Sequence, residues 1–365
     1  MENQGIGSID KNLAVETKIK EPDIEFHDIR NAPFDVYGFY NYKTEPEFKR
    51  LPDEVGENVN PGVKRLYKNT SGGRVRFCTD SRYVAIRAVM PEVTLMAHMP
   101  LLSSAGFDIF VDTPDGMHSR YFSSFRPEVG MKDGYESEAK FTDRRLRYIT
   151  INFPSYSNVK SLEIGLQKGA VLGEGAKYRN RLPVVYYGSS ITQGACASRP
   201  GNMYQNIVAR ETGLNYLNLG FSGSCRAEKK IVDYMAGLEM CAFVCDYDHN
   251  APNPAHLLNT HLDLYKAIRA AHPDIPYIML SRPDFVKSFD DSILRRDVII
   301  DTFRYARESG DKNVYYIDGE GIFRGHFEDC CTVDGTHPND IGFLLMAQTI
   351  CDTFERIMLD KNICE

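Results

Sequence analysis

Four short stretches in the second half of the chain hold residue types that together can move an acyl group. The first is Gly188-Ser189-Ser190, whose second serine is a candidate nucleophile. The second is Asn218-Leu219-Gly220-Phe221-Ser222-Gly223, where a glycine past a strand lets its backbone N–H approach a ligand closely. In the third, Asp246-Tyr247-Asp248-His249-Asn250, polar groups appear abruptly after the apolar Ala242-Phe243-Val244. The fourth is Asp334-Gly335-Thr336-His337-Pro338-Asn339. An aspartate and a histidine three apart on a loop can touch, so Asp334 is able to hold the His337 imidazole in one tautomer. Acyl transfer through a serine needs such a base, a group that orients it, and donors for the oxyanion. Plainer roles compete: a turn serine, a turn glycine at 223, an Asx turn at Asn250, a capping acid at 334.

The elements needed to position these stretches are legible as a change of period. Residues up to about 21 are polar and read as a loose arm. From 22 to 172 the pattern is short strands, among them 74–78, 83–89, 107–111, 147–153 and 161–166. The runs 74–78 and 83–89 alternate in period two across Thr79-Asp80-Ser81, and Thr113-Pro114-Asp115-Gly116 is a hairpin signal. Many strands without a helical period predict an all-β, jelly-roll-like sandwich. Residues 173–182, rich in Gly, Lys and Arg, read as a linker. Beyond it, strand-like runs at 184–187, 216–219, 242–245, 277–280 and 314–317 alternate with helical segments at 204–211, 227–235, 257–271, 294–308 and 341–354. That alternation predicts a parallel sheet covered on both faces, a three-layer α/β/α domain over 183–365.

Bulk properties exclude several classes. The chain has 365 residues, 42% hydrophobic and 25% charged, with a formal net charge of −7. An acidic chain of this kind is expected to bind neither nucleic acid nor an anionic membrane surface. Nine cysteines, an odd number at no framework spacing, read as reduced thiols. With no apolar leader near the start, a cytoplasmic location is the expectation. His326, Cys330, Cys331 and His337 match none of the usual zinc spacings. His256 and His261 are expected on a helix surface. Tyr37, Phe39, Tyr40, Tyr121, Phe122 and Phe125 are expected mostly in core packing, with a sugar-binding platform as the sharper alternative.

The four stretches, in this order, resemble the characteristic blocks of the SGNH (GDSL-type) hydrolase superfamily. The resemblance covers roughly residue 183 to the end. It implies that Ser190 is the nucleophile, His337 the general base and Asp334 its orienting partner. It also implies an oxyanion hole of the Ser190 and Gly223 backbone N–H groups and the Asn250 side-chain amide. Ser189 departs from the family's usual aspartate, and Asp248-His249-Asn250 departs from its usual Gly-x-Asn-Asp run. Gly188-x-Ser190-x-Thr192 lacks the second glycine of the nucleophile elbow, which disfavours the α/β-hydrolase alternative. His249 stands as a competing base, and His249, Arg282 and Asp284 as candidates for lining the pocket. A sandwich before such a domain is similar to several bacterial carbohydrate esterases and to one acyltransferase type. The expected activity is therefore hydrolysis of a short acyl ester, most simply O-acetyl, on a small molecule or oligosaccharide, with no cofactor or metal. The alternatives are an acyltransferase with a non-water acceptor and an inactive carbohydrate-binding protein.

Overall fold

The computed structural model describes residues 19–325 and 327–361, the side chains of 360 and 361 excepted. The expected polar arm lies mostly outside the described residues, as do His326 and Cys364. The first half of the chain runs through β1 (Ile24–Asp28), β2 (Asp35–Tyr37), α1 (Asp53–Gly56), α2 (Pro61–Leu66), β3 (Arg74–Thr79), β4 (Tyr83–Val89) and α3 (Leu101–Ala105). It continues through β5 (Phe107–Asp112), β6 (Ser119–Phe125), β7 (Gly134–Lys140), β8 (Arg147–Asn152), β9 (Ser161–Gln167) and β10 (Leu172–Glu174). These strands form two antiparallel sheets, β1-β9-β4-β7 and β10-β3-β8-β5-β6, with β2 added beside β3. Val75, Phe77, Phe107, Ile109 and Ile151 from one sheet meet Val84, Ile86, Leu162 and Ile164 from the other in a single core. That shared core makes the unit a sandwich.

The alternating runs either side of Thr79-Asp80-Ser81 belong to different sheets, so this turn is a corner between layers. The reason is visible in β3, all of whose residues are buried. Val75 and Phe77 face the sandwich core, while Arg74 and Arg76 face outward and are covered as well. Arg74 donates to Asn215 Oδ1 at 2.7 Å and lies 3.9 Å over the Tyr216 ring, both in the second half of the chain. Strand β6 left little sequence signal because neither of its faces is consistently apolar or buried.

The second half comprises β11 (Asn180–Gly188), α4 (Ser190–Gln193), α5 (Tyr204–Thr212), β12 (Leu214–Gly220), α6 (Lys229–Ala236) and β13 (Ala242–Asp246). Then follow α7 (Pro254–Ala271), β14 (Tyr277–Leu280), α8 (Phe289–Glu308), β15 (Val314–Ile317), α9 (Glu320–Phe323) and α10 (Asp340–Lys361). The strands make one parallel sheet in the order β12-β11-β13-β14-β15. Val185, Tyr187, Phe243 and Met279 pack under α6, α7 and α8, whereas Val184, Tyr186, Val244 and Ile278 pack under α5 and α10. Alternate residues of one strand thus feed opposite layers, the expected three-layer arrangement. Of the stretch read as a linker, 173–174 are strand β10 and 180–182 open β11, leaving 175–179 between strands.

The two halves are joined through Arg50, which is fully buried with no carboxylate among its hydrogen-bond partners. Its guanidinium donates to the carbonyls of Asn69 (2.8 Å) and Leu66 (2.8 Å) on one side, and of Gly220 (2.6 Å) and Asn218 (3.3 Å) on the other. It also lies 4.6 Å over the Phe221 ring. Replacing Arg50 with Met leaves those carbonyls buried without their donor, at about 1–3 kcal/mol for each acceptor left unpaired. Arg50→Met is therefore expected to lower the urea midpoint of unfolding markedly; an unchanged midpoint would show that the cation is not what holds the halves together.

Candidate active site

Register places three of the four stretches side by side. Gly188 at the end of β11 lies opposite Gly220 of β12 on one side and Asp246 of β13 on the other. Ser190, Gly223 and Asn250 follow those residues by a few positions and so gather beyond the carboxyl edge of the sheet, where open α/β sheets bind ligands. Cys225 N–H donates to Asn250 Oδ1 at 3.4 Å, linking the second and third loops directly. This bond leaves the Asn250 amide nitrogen without a partner among the described residues.

The turn before Ser190 is tight. A Cβ on Gly188 would stand 2.1 Å from Thr192 Oγ1 and 2.6 Å from the Asp246 carbonyl oxygen, so only glycine fits. Ser189, in the place of the family's usual aspartate, caps the short helix α4 by accepting from Ile191 N–H at 3.2 Å. Serine does this as well as aspartate, so the departure preserves the local structure. Ser190 is the first residue of α4, and the N–H of such a residue has no partner within its helix. Gly223 has φ +66°, is exposed, and would meet nothing within 4 Å if it carried a Cβ. Glycine is favoured there by conformation, and the space beside it is open.

His337 arrives from the loop ahead of α10. Its Nε2 is 3.0 Å from Ser190 Oγ, across 147 residues of sequence. Its Nδ1 is 2.7 Å from Asp334 Oδ2, while Asp334 Oδ1 accepts from the N–H groups of His337 (2.8 Å) and Thr336 (3.0 Å). A carboxylate only accepts, so Nδ1 carries the proton and Nε2 is free to take one from the serine. Burial would raise the Asp334 carboxyl, but the hydrogen bonds from His337 and Thr336 hold it well below the usual carboxylate range. Lys287 pins the loop from outside, donating to the Asp334 carbonyl (3.0 Å) and Thr336 Oγ1 (2.7 Å).

The sandwich supplies the remaining wall. Gln193 on α4 accepts from Ser222 N–H at 2.9 Å, and its amide nitrogen donates to Asn69 Oδ1 (3.1 Å) and the Ser155 carbonyl (3.3 Å). Tyr156, Met96 and Met99 pack against Ala195 and Cys196, just past α4. A cavity of 370 Å³ opens between Ser222 and the sandwich residues Arg65, Glu92, Thr94, Leu95 and Tyr156. A larger cavity, 1060 Å³, lies along the loop that carries Asp334, walled by Val286, Phe289 and Phe327. Neither Asn69 nor Gln193 stood out in the sequence, because an isolated amide has no spacing to betray it.

Several sequence expectations change. His249 is neither a competing base nor a pocket residue: its side chain is 5% exposed and held between Asp248 Oδ1 (2.9 Å) and Asp284 Oδ1 (2.8 Å). Arg282, a candidate for substrate binding, is spent on Asp284 and Asp291, whereas Asp284, though largely buried, does line the 1060 Å³ cavity. His261 is fully buried, not on a helix surface, and hydrogen-bonds Thr302 Oγ1 at 2.9 Å between α7 and α8. Phe125 lies in the sandwich core with Phe39 packed against it, while Tyr121 and Phe122 are partly exposed on β6.

These features define the class: an ester hydrolase on a three-layer α/β fold preceded by a β-sandwich. Residues 181–355 match the GDSL-like lipase/acylhydrolase family, and residues 24–172 match the amino-terminal domain of SGNH-hydrolase-type esterases. The chain belongs to the SGNH (GDSL-type) hydrolase superfamily. A Bacteroides ovatus protein described as a GDSL-like lipase is 28% identical, with a TM-score of 0.79 over 92% of this chain and 98% of its own. The salicylyl-acyltransferase SsfX3 of a tetracycline biosynthetic pathway is 19% identical, with a TM-score of 0.75 over 93% and 98%. A family two carbohydrate esterase from Cellvibrio japonicus shares the fold at 11% identity, with a TM-score of 0.59 over 94% and 99%. No curated protein matches the chain. Among the described residues, no helix is long and apolar enough to cross a membrane.

The His249 cluster makes a pH prediction. Burial alone would lower the imidazole pKa, but Asp248 and Asp284 overcome this and raise it to about 10. His249 therefore binds its proton more tightly folded than unfolded. Its stabilisation is complete below pH ~6.5, the ordinary value, and is lost as the pH climbs through about 10. His249→Gln is expected to cost about 3–5 kcal/mol at pH 6, the penalty for stranding buried carboxylates. Melting temperatures of the two proteins should converge steadily between pH 6.5 and 10; a constant gap would mean that the ring is neutral.

Proposed function

We propose that the protein is a serine esterase that removes short acyl groups, O-acetyl foremost, from a sugar or short oligosaccharide. The observation that carries this reading is the relay Asp334–His337–Ser190; Tyr156, which lines the 370 Å³ cavity walled by the sandwich, donates to the Ser190 carbonyl at 3.4 Å. In this reading residues 183–365 form the catalytic domain, 22–172 an accessory domain that helps wall the site, and 173–182 the connection.

Ser190 Oγ attacks the ester carbonyl carbon as His337 Nε2 takes its proton, and Asp334 stabilises the imidazolium so formed. The tetrahedral oxyanion receives hydrogen bonds from Ser190 N–H, Gly223 N–H and the Asn250 amide. His337 returns the proton to the departing sugar oxygen. Water then enters, loses a proton to His337, and attacks the acyl-serine; collapse frees the acid and restores the serine. Arg65, Glu92 and Thr94 line the cavity and offer donors and acceptors suited to sugar hydroxyls. Carbohydrate esterases with the same two-part fold, one in complex with cellohexaose, support the carbohydrate assignment.

Hydrolysis of 4-nitrophenyl acetate, followed by acetate release from O-acetylated xylo- or cello-oligosaccharides, tests the proposal. Ser190→Ala should leave only background turnover, whereas an acyl adduct trapped on any other residue would overturn the assignment. Asn250→Ala should lower kcat by about 10²–10³-fold with the melting temperature preserved; full activity would remove Asn250 from the oxyanion hole. Running the same assays with and without an alcohol acceptor decides between water and transfer as the fate of the acyl-enzyme. Failure to form any acyl-enzyme would leave the sandwich as a binding module.

A further inference from the structure

The base proposed above has two further neighbours that the esterase mechanism does not use. His98, on the sandwich loop between β4 and α3, is exposed, and its ring centroid lies 5.7 Å from that of His337. Cys196, just past α4, is buried, and its thiol donates to the His98 carbonyl at 3.5 Å. One ligand atom from each of His98, Cys196 and His337 falls within 4.8 Å of the other two. The three come from different loops, one of them in the sandwich, so no sequence spacing announces them.

We propose that His98, Cys196 and His337 form a zinc-binding site that shuts the esterase off. Two imidazole nitrogens and one thiolate are a donor set of intermediate softness that suits zinc and rejects magnesium or calcium. Zinc bonds of about 2.0–2.3 Å on a tetrahedron place ligand atoms roughly 3.3–3.6 Å apart, so atoms now within 4.8 Å need to draw together by up to about 1.5 Å. The exposed His98 side chain is the one free to make that movement. His337 is already prepared as a ligand: its Nδ1–H donates to Asp334, the carboxylate–histidine arrangement that orients metal-binding imidazoles, and its unprotonated Nε2, 3.0 Å from Ser190 Oγ, would exchange that hydrogen bond for the metal. Binding releases the Cys196 thiol proton to solvent and leaves a fourth position for water or the Ser190 hydroxyl. Once Nε2 is coordinated it cannot take the serine proton. Inhibition rests on the role of His337 proposed above; binding does not.

The test uses the full chain, stripped with EDTA and desalted, titrated with ZnCl2 in a calorimeter and in the 4-nitrophenyl acetate assay. CoCl2 serves as the optical probe. Wild type should take up one zinc more per chain than His98→Ala or Cys196→Ser. Its cobalt form should show a thiolate charge-transfer band that Cys196→Ser removes. Zinc should inhibit wild type reversibly, and MgCl2 should not. His98→Ala and Cys196→Ser should keep their zinc-free activity and need about tenfold more zinc, or higher, for half inhibition. Ser190→Ala should bind zinc as wild type does. Zinc uptake that is identical in wild type and both variants overturns the proposal, as does a cobalt spectrum without a thiolate band. Uptake that depends on His98 and Cys196 in a chain with no esterase activity supports the site and counts instead against the esterase reading.

Discussion

One primary amide, that of Gln193, joins the helix of Ser190 to the Gly223 loop and to the sandwich. The residue closes the helix that begins with Ser190, its oxygen accepts from the loop that carries Gly223, and its nitrogen donates twice into the sandwich. An amide can accept toward one loop and donate twice toward another from a single planar group; a carboxylate would lose both donations. Its own carbonyl is held as well, by Ser71 Oγ of the sandwich at 2.7 Å. The helix that begins with Ser190, the loop that carries Gly223 and the sandwich therefore share one hydrogen-bonded junction. Arg50 reinforces it a few ångströms away by gathering carbonyls from both halves. A cation buried without an anion is costly to place, and it persists only where several acceptors converge on it.

Beneath the junction lies a second constraint, the buried carboxyl of Asp246. It closes β13, accepts from Thr192 Oγ1 at 2.8 Å and from Tyr204 Oη at 3.3 Å, and is pushed up by its burial to about 7. The tight fit of Gly188 against Thr192 and Asp246 depends on this arrangement. The turn that leads into Ser190 is thus held from below by side chains of α4, α5 and β13, and from above by the sandwich.

The third loop reaches a comparable rigidity by a different route from the Gly-x-Asn-Asp run usual in the family. Asp248, His249 and Asp284 form a buried ionic stack, extended by Arg282 to Asp291 and by Arg295, which donates to the carbonyls of Asp248 (2.6 Å) and Ala251 (2.9 Å). The backbone either side of Asn250 is thereby fixed by charges that cannot leave one another without exposing a buried ion. Such a stack holds the backbone that carries Asn250, its members bonding chiefly to one another.

The sequence by itself determined the two architectures and the four loops, because both rest on local rules. Period two gave way to strand–helix alternation near residue 180, and buried parallel strands such as Ala242–Asp246 are apolar on both faces. Asp334 and His337 were legible together because three residues on one loop bring them into reach. Everything that joins distant segments was decided by the tertiary structure. Arg50, Gln193 and Asn69 look like ordinary polar residues until the halves dock. His249 and Arg282 read as pocket residues until burial pairs them with Asp248 and Asp284. His98 meets His337 only because a sandwich loop reaches across the carboxyl edge of the parallel sheet. Pairings of that kind are set by which surfaces pack, a property of the folded chain that no window of neighbouring residues encodes.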